Sequence, residues 1–160
     1  MKNIRVGIGY DVHRLADDQP FFLGGVKIPY HRGAVGHSDA DTLIHAIIDS
    51  LLGAAGLGDI GQHFPDSDQA FKGIDSKVLL NITMDLIQNE EFNIGNVDCT
   101  ICLEKPKIAG YIPAMQIVLA EIMKLDKSQV SIKATTTEGL GFAGKQEGIS
   151  AYAVALLYKK

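Results

Sequence analysis

The segment from His37 to Asp59, HSDADTLIHAIIDSLLGAAGLGD, constrains the fold more than any other part of this chain. Its apolar residues recur at helical spacing and predict a helix from about Asp39 to Ala55, which glycines then end. We expect Ser38 as its N-cap, with Asp41 three residues later as in a capping box. A helix with so broad an apolar surface must pack into a core. Its predicted core residues are Leu43, Ile44, Ile47, Ile48, Leu51 and Leu52.

The rest of the chain alternates between predicted strands and helices. A strand from Met1 to His13 and a short hairpin, PFFLGGVKIPY, precede the long helix. After it come a loop, GDIGQHFPDSDQAFKG, a second helix near Asp75 to Asn89, the strand NIGNVDCTICLEK, a third helix from near Pro113 to about Lys124, and the strands VSIKATTT and GISAYAVALLY. This order predicts an α+β fold, with one domain over residues 1–160 and a mixed β-sheet that has helices packed on one face.

Composition narrows the class of partner. The 160 residues carry a net charge of −4 and contain no run of lysine and arginine, so we expect neither a nucleic acid nor an anionic membrane surface as the main partner. The most apolar segment, Leu43 to Leu57, is interrupted by His45 and Asp49 and does not predict a membrane span. The start of the chain, MKNIRVGIGY, lacks the pattern of a signal peptide. We therefore expect a cytoplasmic protein.

Two polar groups interrupt otherwise apolar elements and suggest a metal site. In the strand IGYDVHRL, Asp11 and His13 are two positions apart and therefore share one face. On the predicted helix, Asp41, His45 and Asp49 follow one another at intervals of four and form a polar stripe. The set Asp11, His13 and His45 is typical of zinc, and three protein ligands leave a fourth position open, as in catalytic sites. Asp49 is then expected to orient the His45 ring.

Other interpretations of these residues stay open at this point. Asp11 and His13 also fit a hydrogen-bonded acid–base pair, and His45 taken alone fits a structural, hydrogen-bonded histidine. His37 and Ser38 precede the helix, where free N–H groups and the helix dipole favour a phosphate. A capping serine beside a loop histidine explains the same residues.

Three further motifs are less specific. The run from Thr135 to Glu138 offers hydroxyls and a carboxylate for Mg²⁺ or Mn²⁺, although threonines are common in strands. GLGFAG, residues 139–144, matches G-x-G-x-x-G but precedes a strand, so we interpret it as a flexible connection. Asp66 and Asp68 fail the spacing of an EF-hand and are interpreted as an acidic turn.

The two cysteines form a C-x-x-C motif within NVDCTICLE. This segment alternates like a strand, so Cys99 and Cys102 point to opposite faces. No second C-x-x-C accompanies them. We expect two buried, inert thiols.

Several motifs together resemble one family, the 2-C-methyl-D-erythritol 2,4-cyclodiphosphate synthases of the non-mevalonate isoprenoid pathway. The resemblance runs nearly end to end. It is carried by GYDVHRL, LGGVKIPY, GHSDADTLIHAIIDSLLGAAGLGDIGQHFPD, FKGIDS, the KPKI segment, KATTTEGLGFAG and EGISAYAVALL. It implies a homotrimer with sheets around a central axis and with active sites between adjacent subunits. The implied substrate is 4-diphosphocytidyl-2-C-methyl-D-erythritol 2-phosphate, and the implied products are the cyclic diphosphate and CMP.

The resemblance also implies roles for individual residues. Zn²⁺ would be bound by Asp11, His13 and His45, and Mg²⁺ or Mn²⁺ by Glu138. His37 and Thr136 would position the substrate's diphosphate and stabilise its transition state, and with Glu138 they would be the catalytic residues. The substrate's methylerythritol phosphate part would contact Ser38, Asp59 and Gly61, with Phe64, Pro65, Asp66, Ser67 and Asp68 closing over it, and Ile60 would also contact the substrate. The cytidine would be held on the neighbouring subunit by Leu103, Pro106, Lys107, Ile108, Ala109, Ala134 and Thr135. Thr137 would also contact the substrate. Phe142 and Lys145 would complete the site, although members of the family often have arginine where this chain has Lys145.

Two other classes of function remain as alternatives. Loss of a metal ligand or of the threonine–glutamate run would favour a trimeric protein that binds a metal and a nucleotide without catalysis, and this chain has both features. A simple zinc hydrolase would need a metal-bound water and a general base.

Overall fold

The computed structural model describes residues 3–159 of the chain. Its strands are β1 Ile4–Asp17, β2 Phe21–Leu23, β3 Val26–Ile28, β4 Arg32–Val35, β5 Phe92–Cys102, β6 Val130–Thr135 and β7 Gly148–Lys159. Its helices are α1 Thr42–Ala55, α2 Ile60–His63, α3 Ser76–Asn89, α4 Ile112–Met123 and α5 Gly141–Gly144, with 3₁₀ turns at Gln69–Phe71, Ala109–Tyr111 and Lys127–Gln129.

Five strands form one mixed sheet in the order β4-β1-β7-β5-β6, and β2 and β3 form a separate hairpin. The central pairs, β1 with β7 and β7 with β5, are antiparallel, whereas β5 and β6 are parallel. The hairpin turns at Gly24 and Gly25, as predicted, and both glycines have positive φ. The predicted α+β class with a mixed sheet is therefore confirmed.

The long helices cover one face of this sheet. Helix α1 packs on β1 and β7, and its predicted core residues are fully buried. Helices α3 and α4 extend the same core over β5 and β6. None of the helices within residues 3–159 is long and apolar enough to cross a membrane.

The start of α1 differs from the prediction. Its N-cap is Asp41, whose Oδ1 accepts the Ile44 N–H at 3.0 Å. Ser38 lies outside the helix because Ala40 has a φ of 58°, a left-handed conformation that a helix cannot include. Asp41 also leaves the expected polar stripe, since its buried carboxylate accepts the Gly24 N–H at 2.9 Å and that of Gly25 at 2.7 Å.

Other boundaries differ as well. The first strand extends to Asp17 and pairs with β4, a strand that was not predicted. Met1 and Lys2, included in the predicted first strand, lie outside the described residues. The loop after α1 contains α2, and the GLGFAG segment contains α5 instead of being wholly irregular.

Candidate metal and substrate site

Two glycines bring β1 onto α1. Gly7 and Gly9 lie on the same face of β1 as Asp11 and His13, since alternate residues of a strand point the same way. A Cβ at Gly7 would lie 2.0 Å from a backbone oxygen of α1, and one at Gly9 would lie 1.9 Å from another. No other residue type permits this approach, which places the polar end of β1 beside His45.

Asp11, His13 and His45 form a compact triangle of ligand atoms. Asp11 Oδ2 lies 3.0 Å from His13 Nε2 and 3.3 Å from His45 Nδ1, and the two ring nitrogens are 3.2 Å apart. Ligands about 2.0–2.1 Å from a tetrahedral metal ion are separated from one another by about 3.3 Å. The three atoms thus match one face of such a tetrahedron, and the group can hold a metal ion.

The environment of Asp11 fits a metal ligand. Its Oδ2 atom is buried and has no aligned hydrogen-bond donor among residues 3–159, although both rings are close. Burial alone would raise the pKa of this carboxyl. His13 and His45 have the opposite effect, through their close contacts with the carboxylate and their positive charge, and the pKa falls to about 2. Burial would lower the pKa of His13, but the neighbouring Asp11 carboxylate outweighs burial and raises it.

In both histidines, the ring nitrogen that faces away from Asp11 is within hydrogen-bond distance of another group. His13 Nδ1 lies 3.0 Å from the Val35 carbonyl oxygen, which fixes the proton on Nδ1 and leaves Nε2 for a metal. His45 Nε2 lies 2.9 Å from Ser76 Oγ and 3.1 Å from Ser38 Oγ. Two serine hydroxyls therefore lie beside the ring nitrogen that we expected Asp49 to contact. That prediction was wrong because Asp49 instead accepts the backbone N–H of Ile60 at 2.7 Å and so anchors α2.

A cavity of about 400 Å³ opens beside the triangle. Its walls are formed by the parts of β1 and α1 that carry the three candidate ligands, by the loop before α1 and by the segment that includes α2. Its lining residues are Asp11, His13, Gly36, His37, Ser38, His45, Ile60, Gly61, Phe64, Asp66, Phe71 and Leu79. His37 Nε2 also lies 3.2 Å from the Asp68 carbonyl oxygen, which ties this wall to the 64–68 segment. The predicted metal ligands and several of the residues predicted to bind the methylerythritol phosphate and the diphosphate therefore line one cavity.

Some residues that were predicted to contact the substrate, in and around α2, do not line the cavity. Asp59 caps α2, where its carboxylate accepts the Gln62 N–H at 3.0 Å, and it does not line the cavity. Pro65 and Ser67 belong to the 64–68 segment but are not part of the wall.

The predicted cytidine residues lie elsewhere in the same chain. The segment from Leu103 to Ala109 follows β5, and Ala134 to Glu138 ends and follows β6, where the Leu103 N–H donates to the Thr135 carbonyl at 3.0 Å. Through the sheet register, Asp11 is three strand spacings from Ala134, or roughly 14 Å. None of these β5 and β6 residues lines the cavity.

The remaining predicted residues are exposed and lie between Glu138 and Lys145, a segment that includes α5. Glu138 has a φ of 55° and accepts a long hydrogen bond of 3.5 Å from the Thr136 hydroxyl. Phe142, in α5, lines a second cavity of about 500 Å³, which His13 also lines. Lys145 follows α5 and is exposed.

The cysteines lie on β5, as predicted, and only one is fully buried. Cys99 is buried, and burial raises the pKa of its thiol to about 12. Cys102 is half-buried, which corrects the expectation of two buried thiols.

Comparison with known proteins connects this geometry to a family. A sequence profile of the YgbB family matches residues 4–158. The 2-C-methyl-D-erythritol 2,4-cyclodiphosphate synthase of Porphyromonas gingivalis is 57% identical over 156 residues, covering 98% of this chain and 96% of that protein.

Two solved structures extend the comparison. The bifunctional IspDF from Campylobacter jejuni has a TM-score of 0.96 and 39% identity; the match covers 100% of this chain, which spans 43% of that one. The CDP complex of IspF from Plasmodium falciparum has a TM-score of 0.86 and 36% identity, covering 98% of this chain and 97% of that one. The resemblance in the motifs is thereby confirmed, and the chain belongs to the YgbB family.

Proposed function

We propose that this chain converts 4-diphosphocytidyl-2-C-methyl-D-erythritol 2-phosphate to 2-C-methyl-D-erythritol 2,4-cyclodiphosphate and releases CMP. The observation that carries the proposal is the triangle of Asp11, His13 and His45, which opens into a cavity lined by His37 and Ser38. The relative from P. gingivalis is named for this product, and the P. falciparum relative has been solved with CDP.

The proposed reaction needs no protein nucleophile. An oxygen of the substrate's 2-phosphate forms a bond to the β-phosphorus, while the bond from that phosphorus to the bridging oxygen of the diphosphate breaks. CMP leaves with the electron pair, so the enzyme is a phosphorus–oxygen lyase. Phosphoryl transfer of this kind depends on in-line positioning and on stabilising the developing charge.

Two sets of residues would hold metal ions. Asp11, His13 and His45 would hold Zn²⁺ with one position open, which the spacing of their ligand atoms supports. Glu138 would hold Mg²⁺ or Mn²⁺. When bound, such cations polarise phosphate oxygens and offset the negative charge of the diphosphate.

The cavity residues would position the phosphates. His37 lines the cavity and offers a ring N–H, and the Ser38 hydroxyl lies on the same wall. We assign His37 to the diphosphate, together with Thr136, and Ser38 to the methylerythritol phosphate. Gly61, which lines the same cavity, would join Ser38 there, and the 64–68 segment would exclude water around the folded substrate.

The cytidine would bind at the end of β5 and β6. Leu103, where the segment to Ala109 begins, contacts Thr135 next to Ala134, and the exposed Lys107 of that segment would supply positive charge. The separation of roughly 14 Å from Asp11 supports a site shared by two subunits, because one chain alone leaves its two parts apart.

A homotrimer would bring these parts together. The uncovered face of β1 and β7 supports this assembly, since Ile8 is 70% exposed there and its neighbours are also apolar. The exposed residues of this face are Ile4, Val6, Ile8, Tyr10, Val12, Tyr152 and Val154. Phe142 and Lys145 would complete each site. The setting we propose is the bacterial cytoplasm, because the relative from P. gingivalis is a bacterial biosynthetic enzyme.

Phosphorus NMR of the purified protein with this substrate, Zn²⁺ and Mg²⁺ tests the proposal. We expect the cyclic diphosphate and CMP in equal amounts. Release of inorganic phosphate would indicate a hydrolase instead. A folded, metal-loaded protein that leaves the substrate unchanged would be a binding protein without catalysis.

A further inference from the structure

Ser76 contacts the metal-site histidine from a different helix. It is the first residue of α3 and is fully buried. Its Oγ lies 2.9 Å from His45 Nε2 and donates a hydrogen bond to Asp39 Oδ1. The Ser76 backbone N–H donates to Asp39 Oδ2 at 3.0 Å, so one carboxylate holds both polar groups of this serine.

The direction of each hydrogen bond follows from the geometry. His45 Nδ1 faces Asp11 and His13, at 3.3 and 3.2 Å, and is the nitrogen available to a metal. When Nδ1 binds a metal, the ring proton must be on Nε2. The Ser76 hydroxyl already donates to Asp39, so its oxygen is left to accept that proton.

We propose that Asp39 and Ser76 are positioning residues for His45, fixing its tautomer and ring orientation so that Nδ1 points at the metal. The inference rests on the metal site of the proposed function. It means that α3, which begins with Ser76, helps to build that site. Asp39 is itself held, because its N–H donates to the Ile74 carbonyl at 3.1 Å and its Oδ1 accepts the Asp41 N–H at 3.1 Å.

Ser38 is the other hydroxyl near His45 Nε2, and it is less suited to this role. Its oxygen is farther from the nitrogen, at 3.1 Å, and also lies 3.2 Å from the Ala40 N–H. It lines the cavity, whereas Ser76 does not. Ser76 therefore orients the ring, and the Ser38 hydroxyl stays available to a ligand in the cavity.

The test is the zinc affinity of the full-length chain, measured by competition with a chromogenic chelator. Ser76→Ala should bind zinc roughly 10 to 100 times more weakly than the wild type. Ser50→Ala is the matched control, since Ser50 is equally buried and donates only to the Ile47 carbonyl of its own helix, at 2.7 Å. Asp39→Asn, which keeps one acceptor oxygen, should give a smaller loss than Ser76→Ala.

A spectroscopic measurement separates positioning from general stability. In zinc-loaded wild type labelled with ¹⁵N-histidine, His45 Nε2–H should exchange slowly with water, and in Ser76→Ala it should exchange fast. Equal zinc affinity in Ser76→Ala and Ser50→Ala would overturn the inference. If Ser76→Ala does not fold, fast Nε2–H exchange in the wild type would overturn it. Failure of the wild type to bind zinc would instead refute the metal site of the proposed function.

Discussion

Gly9 of β1 lies against the backbone of Ala46 in α1, so closely that a Cβ on Gly9 would come within 1.9 Å of the Ala46 carbonyl oxygen. No rotamer change relieves such a contact, because both groups belong to the backbone. The position of Asp11 and His13 relative to His45 depends on this approach.

Gly9→Ala should therefore damage both stability and the metal site. We expect the free energy of unfolding to fall by about 3 kcal/mol or more, at the upper end of overpacking effects, and zinc affinity to fall with it. Gly53→Ala is the control, because Gly53 lies in α1 and, within residues 3–159, no atom outside the adjacent helix backbone comes within 4 Å of its added Cβ. This control should be stabilised by up to about 1 kcal/mol. Urea unfolding measures the free energy of unfolding of both variants. Equal values for Gly9→Ala and Gly53→Ala would contradict the close packing of β1 on α1.

The stability of the metal-free protein should depend on Asp11 at acidic pH. The pKa of this carboxyl falls from 3.8 to about 2 in the folded state. Its contribution is therefore present above pH 3.8 and is lost as the pH falls through 2. The shift corresponds to about 2 kcal/mol. His13, whose pKa is raised, stays protonated throughout this range.

Urea unfolding in the presence of chelator, from pH 5 to pH 2, checks this prediction against Asp11→Asn. The stability of the wild type should fall by about 2 kcal/mol more than that of the variant over this interval. Parallel pH profiles would show that Asp11 has no favourable contacts with the two histidines.

Much of the fold could be predicted from the periodicity of the sequence. The features that were predicted wrongly or not at all have specific physical causes. The buried face of α1 came from spacing alone, as did the shared face of Asp11 and His13, whereas the order of the strands in the sheet was not predicted. The N-cap was misplaced because nothing in HSDAD marks Ala40 as left-handed. Ser76 was missed because it is 31 residues from His45 in the chain. The paired glycines before Asp11 were the signal that could have indicated close helix packing.

The cysteines should differ in reactivity. With a pKa of about 12, Cys99 is ionised in only about one molecule in 10⁴ at pH 8. Iodoacetamide should therefore alkylate Cys102 first, and Cys99 only after unfolding. Mass spectrometry of digested samples, with Cys102→Ser as control, follows each thiol. Alkylation of Cys99 before Cys102 in the folded protein would contradict the burial found here.

A shared active site can be detected by mixing two inactive variants. His45→Ala removes a ligand from one part of the site and Glu138→Gln removes one from the other part. If adjacent subunits contribute these residues, mixed trimers restore intact sites, and an equal mixture should recover roughly one quarter of the wild-type activity. The variants should be unfolded and refolded together, with each one refolded alone as a control. Activity no higher than in those controls would place both residues in one subunit's site.

The most direct test of the central claim is a zinc titration of metal-stripped protein, with Mg²⁺ present and the cyclic diphosphate followed by phosphorus NMR. If Asp11, His13 and His45 hold the ion on which cyclisation depends, the stripped protein makes no cyclic product. Its rate then rises with added zinc and levels off at one ion per chain. Full turnover by the stripped protein would contradict the account.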